Sequence, residues 1–384
     1  MKILFCSQTA LDARLGAPKA IMELAASLEA LGCRCRLVSD EETSGGALRG
    51  LTGYRRGREY ARSLGRFLER HAGDYDAVDY DHVHLPFSRR RFAPSTLFVA
   101  RSPLLIYRLE RIRIPRAPGV RPLVGAIVKW PARRANVKLL VRRSLRTCRE
   151  ADLVNVSNDD DRLELVRRGI DTSKIATLPF GLDDARLSAF GACSSSPPEV
   201  SRVAFVGTFD ARKGAHEFPE IVRRVVASVP ACKFRLLGAR YRSEGEVLAA
   251  FPSDLRSHIE VISNYEPSEL PGLLADCSVG IFPSHMEGFG FGVLEMLAAS
   301  LPVVAYDAPG PPVMLPPEYL VPAGAAAAMA ARVVALLMNP VALLAARAWA
   351  RTRAGEFTWR RAAKLTLDIY TERLARLRER PTME

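Results

Sequence analysis

The chain has 384 residues, 48% of them apolar, which allows two domains of ordinary size and excludes a disordered protein. Its formal net charge of +13 is compatible with nucleic acid, an anionic membrane surface or an anionic substrate as partner. The most apolar long run, residues 323–338, is mostly alanine and contains Arg332, so it is too short and too weakly apolar to cross a bilayer.

The N-terminus and the cysteines indicate the compartment. The apolar run at residues 2–6 is too short for a signal peptide and predicts a buried strand instead. The seven cysteines form no C-x-x-C pair, and the six histidines show no metal-ligand spacing. We therefore expect a cytoplasmic protein with reduced thiols and no metal site.

The first half of the chain alternates between predicted strands and helices. In chain order these are a strand at 2–6, a polar loop with Gly16, a helix over 18–31, strands at 35–38, 75–83, 96–100 and 151–157, a helix over 161–168 and a strand at 175–178. Gly32 ends the first helix, and Asn158 or Asp159 caps the second. The pattern predicts a Rossmann-like α/β domain over residues 1–190.

A change of composition then divides the chain. Residues 191–198 read GACSSSPP, and we predict a linker at 191–200. The strands predicted after it are 202–206, 234–237, 259–262, 279–282 and 303–306, with helices near 214–228, 267–275 and 291–299. A second Rossmann-like domain is thus predicted over 201–356, with ligands bound in a cleft at the carboxyl ends of the strands.

The stretch HMEGFGFGVLEML, residues 285–297, joins a predicted strand to a predicted helix. Backbone N–H groups and the helix dipole favour an anion at such a helix start, and the glycines allow it to approach closely. Glu287 on the loop and Glu295 inside the helix are suited to accept hydrogen bonds from hydroxyl groups on either side of a bound phosphate. The pattern suits a nucleotide sugar.

Residues 283–298, PSHMEGFGFGVLEMLA, resemble the E-x7-E motif of the family 4 retaining glycosyltransferases. VGTFDARKG at 206–214 and LPVVAYDAPGP at 301–311 are similar to neighbouring segments of that family, and ADLVNVS and LPFGLD are similar to the end of its acceptor domain. The resemblance implies the GT-B fold, in which two Rossmann-like domains face each other across a cleft. It also implies a retaining transfer of a sugar from a nucleotide diphosphate sugar to a hydroxyl acceptor, without a further cofactor.

The resemblance assigns roles to the glycine-rich stretch residue by residue. Glu287 would hold hydroxyls of the donor sugar, and Glu295 would hold those of the ribose. The backbone of Phe289, Gly290 and Phe291 would contact the sugar and the diphosphate.

It also assigns roles to two earlier loops. Lys213 stands in the K-G position of the family and would neutralise the leaving diphosphate. Thr208 follows Gly207 where the family usually has an arginine, and Arg212 is the candidate substitute. Gly16, in the first domain, would lie near the diphosphate and the acceptor.

A second departure concerns the acceptor side. Ser102 and Pro103 stand where the family often places a histidine near the reacting sugar. Together with Thr208 they favour an alternative function, a non-catalytic GT-B partner subunit that binds a nucleotide sugar, whereas the intact acids and lysine favour an enzyme. A nucleotide-sugar epimerase or a phosphorylase on the same fold fits less well.

Residues 74–81, DYDAVDYD, contain D-x-D twice, a spacing that holds a metal in another glycosyltransferase fold. Here the aspartates straddle a predicted strand of the first domain, and we interpret them as strand-edge residues. The positive charge at the diphosphate is expected from Lys213 and Arg212 instead.

The segment from Arg108 to Arg149 contains thirteen basic residues and one acidic residue, interleaved with apolar ones. Such a stretch is able to lie on an anionic membrane, which would bring the enzyme to a lipid-linked or cell-surface glycan acceptor at the inner face of the membrane. The alternative is that the apolar residues pack into the first domain and the arginines are solvated. Nucleic acid is not expected, because no recognition module is present.

A helical pattern over 357–377 ends the sequence, and we assign 357–384 to a C-terminal helix. The family often sends this helix back to the first domain, and the alternative is a surface helix of the second domain.

Overall fold

The computed structural model describes residues 1–12, 16–107, 124–192, 200–240 and 242–379, and the side chains of 16, 17 and 124–134 are not described. The chain divides into two compact units. The first contains the described residues up to Gly181 together with those from Trp359 onwards, and the second contains Leu182–Thr358. Residues 182–190, which the sequence analysis kept in the first domain, thus lie in the second unit. Most of the predicted linker, 193–199, lies outside the described residues.

The first unit is a parallel sheet flanked by helices. Its strands are β1 (Lys2–Cys6), β2 (Arg34–Val38), β3 (Ala77–Asp81), β4 (Leu97–Ser102), β5 (Leu153–Val156) and β6 (Ile175–Thr177). Its helices are α1 (Gly16–Glu29), α2 (Asp40–Ser44), α3 (Gly53–His71), α4 (Val124–Glu150) and α5 (Asp159–Arg167). The strand order is β2-β1-β3-β4-β5-β6 with every pairing parallel, so the direction of winding reverses between β1 and β3.

The second unit has the doubly wound order of a Rossmann domain. Its helices are α6 (Asp184–Gly191), α7 (Phe218–Ser228), α8 (Glu244–Leu248), α9 (Leu270–Leu274), α10 (Phe291–Ala298), α11 (Ala326–Leu337) and α12 (Pro340–Ala354). Its strands are β7 (Arg202–Val206), β8 (Lys233–Leu237), β9 (Ile259–Ile262), β10 (Val279–Phe282), β11 (Val303–Asp307) and β12 (Leu320–Pro322). They are ordered β12-β11-β10-β7-β8-β9, all parallel. The winding therefore reverses between β7 and β10, and the loops leaving these two strands diverge to form the crevice in which such sheets bind ligands.

Helix boundaries differ from prediction where local capping decides them. Gly16 begins α1 and does not lie in the preceding loop, because Pro18 is tolerated in the first turn of a helix, where N–H groups need no partner within the helix. α7 begins at Phe218 and not near 214, because Gly214 adopts a φ of 76° that a helix cannot contain. Asn158 caps α5 by accepting a hydrogen bond from the Asp161 amide, as one of the two predicted caps.

The last helix, α13 (Trp359–Arg378), belongs to the first unit although the chain reaches it from the second. Its Tyr370 hydroxyl donates to Asp79 Oδ2 at 2.5 Å and lies 3.1 Å from Arg101 Nη2, and Trp359 Nε1 donates to Glu23 of α1. Asp79 in turn forms a buried ion pair with Arg101, with 2.7 Å between Oδ2 and Nη2. This aspartate of the D-x-D stretch is therefore committed to a structural network.

Among the described residues no single helix is long and apolar enough to span a bilayer, and α11 and α12 meet the length and composition criteria only as a pair bent by 103°.

Candidate functional site: a charged cluster at the β7–β10 crevice

The loop after β7 is organised by an aspartate that the sequence analysis did not single out. Asp210 accepts hydrogen bonds from the Thr208 hydroxyl at 2.6 Å and from the backbone N–H groups of Arg212 and Lys213 at 2.9 and 3.2 Å. These contacts cap a single 3₁₀ turn, Ala211–Lys213. The Thr208 side chain is thus used to hold the loop.

Two glycines let this loop pack tightly. A Cβ at Gly214 would lie 2.2 Å from the Pro283 carbonyl oxygen, so only glycine permits the loop after β7 to touch the loop after β10. The His285 amide also donates to the Arg212 carbonyl at 2.9 Å. At Gly207 a Cβ would lie 3.6 Å from the Lys213 ammonium, which therefore lies over this glycine.

Lys213, Arg212 and Glu287 come together between the two loops. Glu287 Oε1 lies 2.6 Å from Lys213 Nζ, accepts from Arg212 Nη1 at 3.1 Å and accepts from the Ser284 hydroxyl at 2.5 Å. Lys213 and Glu287 are both more than nine-tenths buried, and Lys213 Nζ also lies 4.6 Å from the centre of the Phe282 ring. The structure thus places these three predicted site residues next to one another.

The cluster holds its cations ready for an anion. Burial is the main influence that lowers the pKa of Lys213, and Arg212 adds to it, whereas Glu287 opposes it. Lys213, Arg212 and Glu287 together carry a net charge of +1, and Asp210 in the adjacent turn balances it. A diphosphate would compete with Glu287 for the lysine and free that carboxylate to accept hydrogen bonds from a sugar.

The glycine-rich segment ends at α10. Gly290 is the N-cap residue of α10, with a φ of 93° and without a side-chain cap, and the helix begins at Phe291. A Cβ at Gly292 would lie 2.3 Å from the Val206 carbonyl oxygen, so glycine allows the first turn of α10 to rest on the end of β7. Phe289 is buried and contacts Phe291, with ring centres 5.4 Å apart. Gly310, in the loop after β11, approaches so closely that its Cβ would lie 2.8 Å from that of Glu287.

Glu295 has a partner that the sequence analysis missed. Arg186, in the first turn of α6, donates to Glu295 Oε1 at 2.6 Å, and Asp183 caps that turn. The Tyr265 ring lies against Gly238 at the end of β8, and burial together with the Glu295 charge raises the pKa of its phenol. Arg186 and Tyr265 gave no sequence signal, because both are far from the motif along the chain.

The first unit has a pocket at its own reversal point, between β1 and β3. The pocket is lined in part by Gln8, Asp81 and Arg101. Burial opposes ionisation of Asp81, but His82, His84 and the Val83 amide together hold its pKa at about 2. Ser102 lies at the end of β4, and its buried hydroxyl has no hydrogen-bond partner among the described residues. Gly16, the other residue predicted to contribute to the site, lies at the N-terminus of α1 in this unit.

The fold is of the two-unit α/β type called GT-B. Sucrose-phosphate synthase of Thermosynechococcus elongatus superposes with a TM-score of 0.72 over 98% of this chain and all of that one, at 17% identity. HepE of Anabaena, solved in complex with UDP-glucose, superposes with a TM-score of 0.64 over 97% of this chain and all of that one, at 13% identity.

The sequence comparison identifies the second unit more closely. Residues 200–339 match the family model described as glycosyl transferases group 1, so the second unit carries a glycosyltransferase domain. D-inositol 3-phosphate glycosyltransferase of Saccharomonospora viridis is 26% identical over 251 residues, which is 60% of this chain and 57% of that relative. The match thus spans little more than half the length of the curated relative.

Proposed function

We propose that the protein transfers a sugar from a nucleotide diphosphate sugar to a hydroxyl acceptor with retention of the anomeric configuration. The cluster of Lys213, Arg212 and Glu287 at the crevice between β7 and β10 is the observation that carries this proposal. The glycosyltransferase match of residues 200–339 and the UDP-glucose bound by HepE support a nucleotide sugar as the donor.

In this mechanism each charged group has one task. Lys213 and Arg212 stabilise the charge that builds up on the leaving diphosphate, together with backbone N–H groups at the start of α10. Glu287 accepts hydrogen bonds from the donor sugar, and Glu295 accepts them from the ribose, with Arg186 fixing its carboxylate. The buried position of the lysine strengthens its interaction with the diphosphate, because water screens it little. The reaction follows a front-side path without a covalent sugar–enzyme intermediate.

The test is a panel of UDP, GDP and ADP and their sugars, assayed for thermal stabilisation and for slow donor hydrolysis. One nucleotide should stabilise the protein, and its sugar should be hydrolysed with release of that nucleotide. Stabilisation without any hydrolysis or transfer would favour the non-catalytic partner subunit. If none of these nucleotides or nucleotide sugars stabilises the protein, the proposal is contradicted.

Glu295→Ala should weaken binding of the selected nucleotide by about 1.5–3 kcal/mol, because the ribose hydroxyls lose a charged acceptor. Titration calorimetry measures this change. Glu269→Ala is the matched control, since its carboxylate is exposed and accepts from the Glu266 amide. Equal nucleotide affinity in Glu295→Ala and the parent would remove Glu295 from the site.

We also propose that the acceptor is lipid-linked and that α4 contacts an anionic membrane. Residues 108–123 of the predicted basic segment lie outside the described residues, but the described part of α4 presents an exposed basic face: Lys138, Arg142, Arg146 and Arg149. The opposite side packs inward, since Val141 and Cys148 belong to the core of the first unit. The described part of α4 therefore has one face that packs into the first unit and one solvated basic face, and the membrane proposal concerns the second.

The protein should therefore sediment with anionic vesicles at low salt and not with neutral ones, because each basic group near such a surface contributes about 1 kcal/mol. Combined charge reversal of Lys138, Arg142 and Arg146 to Glu should release it. Combined reversal of Arg223, Arg224 and Arg360 to Glu changes the net charge equally on other helices and should not. Similar sedimentation of both triple variants would contradict a specific role for α4.

A further inference from the structure

A second group of ligand-type side chains lies beside the charged cluster. Glu217, just before α7, has its Oε1 atom 3.1 Å from His285 Nε2 and 3.6 Å from His216 Nε2. The two imidazole rings are nearly parallel, with an interplanar angle of 9° and ring centres 5.7 Å apart. One potential ligand atom from each residue lies within 4.8 Å of the others.

The spacing of these atoms suits a transition metal. Zinc binds imidazole nitrogen and carboxylate oxygen at about 2.0–2.2 Å with tetrahedral geometry, so neighbouring ligand atoms are separated by roughly 3.3–3.5 Å. The two nitrogen–oxygen separations of 3.1 and 3.6 Å are close to that range. His216 is exposed, so a small rotation of its ring is able to adjust the separation of the two nitrogens.

Unsatisfied polar atoms provide an independent observation. Glu217 Oε2 and the hydroxyl of Tyr306 are both buried, and they interact with each other without a hydrogen bond of normal geometry among the described residues. The Tyr306 ring lies 5.3 Å from that of His285. A buried carboxylate oxygen with so weak a donor is costly, and a cation bound to the carboxylate compensates for that cost.

We propose that His216, Glu217 and His285 form a binding site for zinc or a similar divalent transition metal. Two imidazoles and one carboxylate make a donor set that such metals accept, and a fourth position is left for water or another ligand. His216 and Glu217 follow the turn that carries Lys213, and His285 precedes Glu287. A metal here therefore joins the two loops of the charged cluster without using any of its charged groups.

The experiment uses the full chain without a histidine tag, stripped with a chelator and then dialysed against zinc chloride. We expect about one bound zinc per chain by elemental analysis, together with a rise in the melting temperature. Cobalt(II) added instead of zinc should give the visible absorption bands of a low-symmetry site with nitrogen and oxygen ligands. None of these readouts depends on transferase activity, so the proposal stands or falls separately from the proposed function.

Single variants locate the metal. His216→Ala and His285→Ala should each weaken zinc binding by about 10–100-fold or more, and Glu217→Gln should do so while keeping an acceptor for His285. His258→Ala is the matched control, since that histidine contacts the Cys232 carbonyl at 2.9 Å and lies outside the group. The melting temperature of each metal-free variant shows whether it has folded, and the exposed position of His216 makes His216→Ala the decisive one. The proposal is overturned if the parent binds no zinc, or if His216→Ala and His285→Ala bind it as tightly as the parent.

Discussion

Replacing Lys213 by alanine is expected to lower kcat/KM for the nucleotide sugar by a factor of about 10²–10³. This is the usual effect of removing one fixed hydrogen-bond donor that stabilises the negative charge of the transition state. The ammonium group is buried, lies over Gly207 and is fixed by Glu287 at 2.6 Å, so no water molecule or neighbouring side chain reproduces its position and charge. The variant should fold, because Glu287 keeps its hydrogen bonds from Arg212 and Ser284.

Steady-state rates of donor hydrolysis and transfer measure this decrease in kcat/KM. A separate measurement of nucleotide affinity shows how much of the decrease comes from weaker binding. Lys233→Ala is the matched control, because Lys233 is a partly exposed lysine of the same unit that donates to the Ser257 carbonyl. Glu287→Gln should reduce turnover more than nucleotide affinity, since Glu287 is assigned to the sugar. Rates in Lys213→Ala that match those of Lys233→Ala would exclude the lysine from the reaction.

The second large effect concerns stability. Asp79→Ala should lower the free energy of unfolding by about 3–5 kcal/mol, because it leaves the Arg101 guanidinium buried without its counter-ion. Asp79 is 2% exposed and Arg101 is 6% exposed, and the carboxylate raises the pKa of the arginine further although burial opposes this. The same substitution removes the acceptor of the Tyr370 hydroxyl and so loosens α13.

Urea unfolding measures the loss, and hydrogen exchange shows whether it is confined to the first unit. Asp76→Ala removes a partly exposed carboxylate of the same D-x-D stretch, which pairs with Arg378 and accepts from the Lys2 amide at 2.8 Å, and should cost about 1 kcal/mol. Tyr370→Phe removes one hydroxyl and leaves the ion pair intact, so it should fall between the two, at about 1–3 kcal/mol. Equal effects of Asp79→Ala and Asp76→Ala would mean that the buried pair contributes nothing.

Much of the fold was predictable because its signals are local. Apolar runs such as residues 2–6 and 202–206 predict buried parallel strands. The helical periodicity of segments between such runs predicts the helices that connect the strands. α3 and α4 were not predicted as helices. Both carry many arginines. In α3 the buried residues Tyr60, Leu64, Phe67 and Leu68 recur at helical spacing, so its inward face was readable from the sequence. In α4 the periodicity is weak, and its packing in the first unit distinguishes the inward face from the solvated one.

The core of the candidate site was also predictable from the sequence. Glu287, Glu295 and the Lys213–Gly214 pair stand at fixed distances from strand ends, and parallel strands place their carboxyl ends at one edge of the sheet. The glycines are a second local signal, since Gly214 and Gly292 lie where a Cβ would collide with a carbonyl oxygen.

The sequence by itself thus determined the class of fold, and it predicted the edge of the sheet at which the candidate site lies and the acids and cations found there. Only the tertiary structure decided which charges pair. Arg186 reaches Glu295 across 109 positions of sequence, and His285 reaches Glu217 across 68. Such contacts depend on how helices and loops pack on the sheet, and no periodicity or spacing along the chain encodes them. For the same reason the sequence did not indicate the pair His216 and His285. They have no metal-ligand spacing along the chain, and they come together only when the loops after β7 and β10 fold against each other.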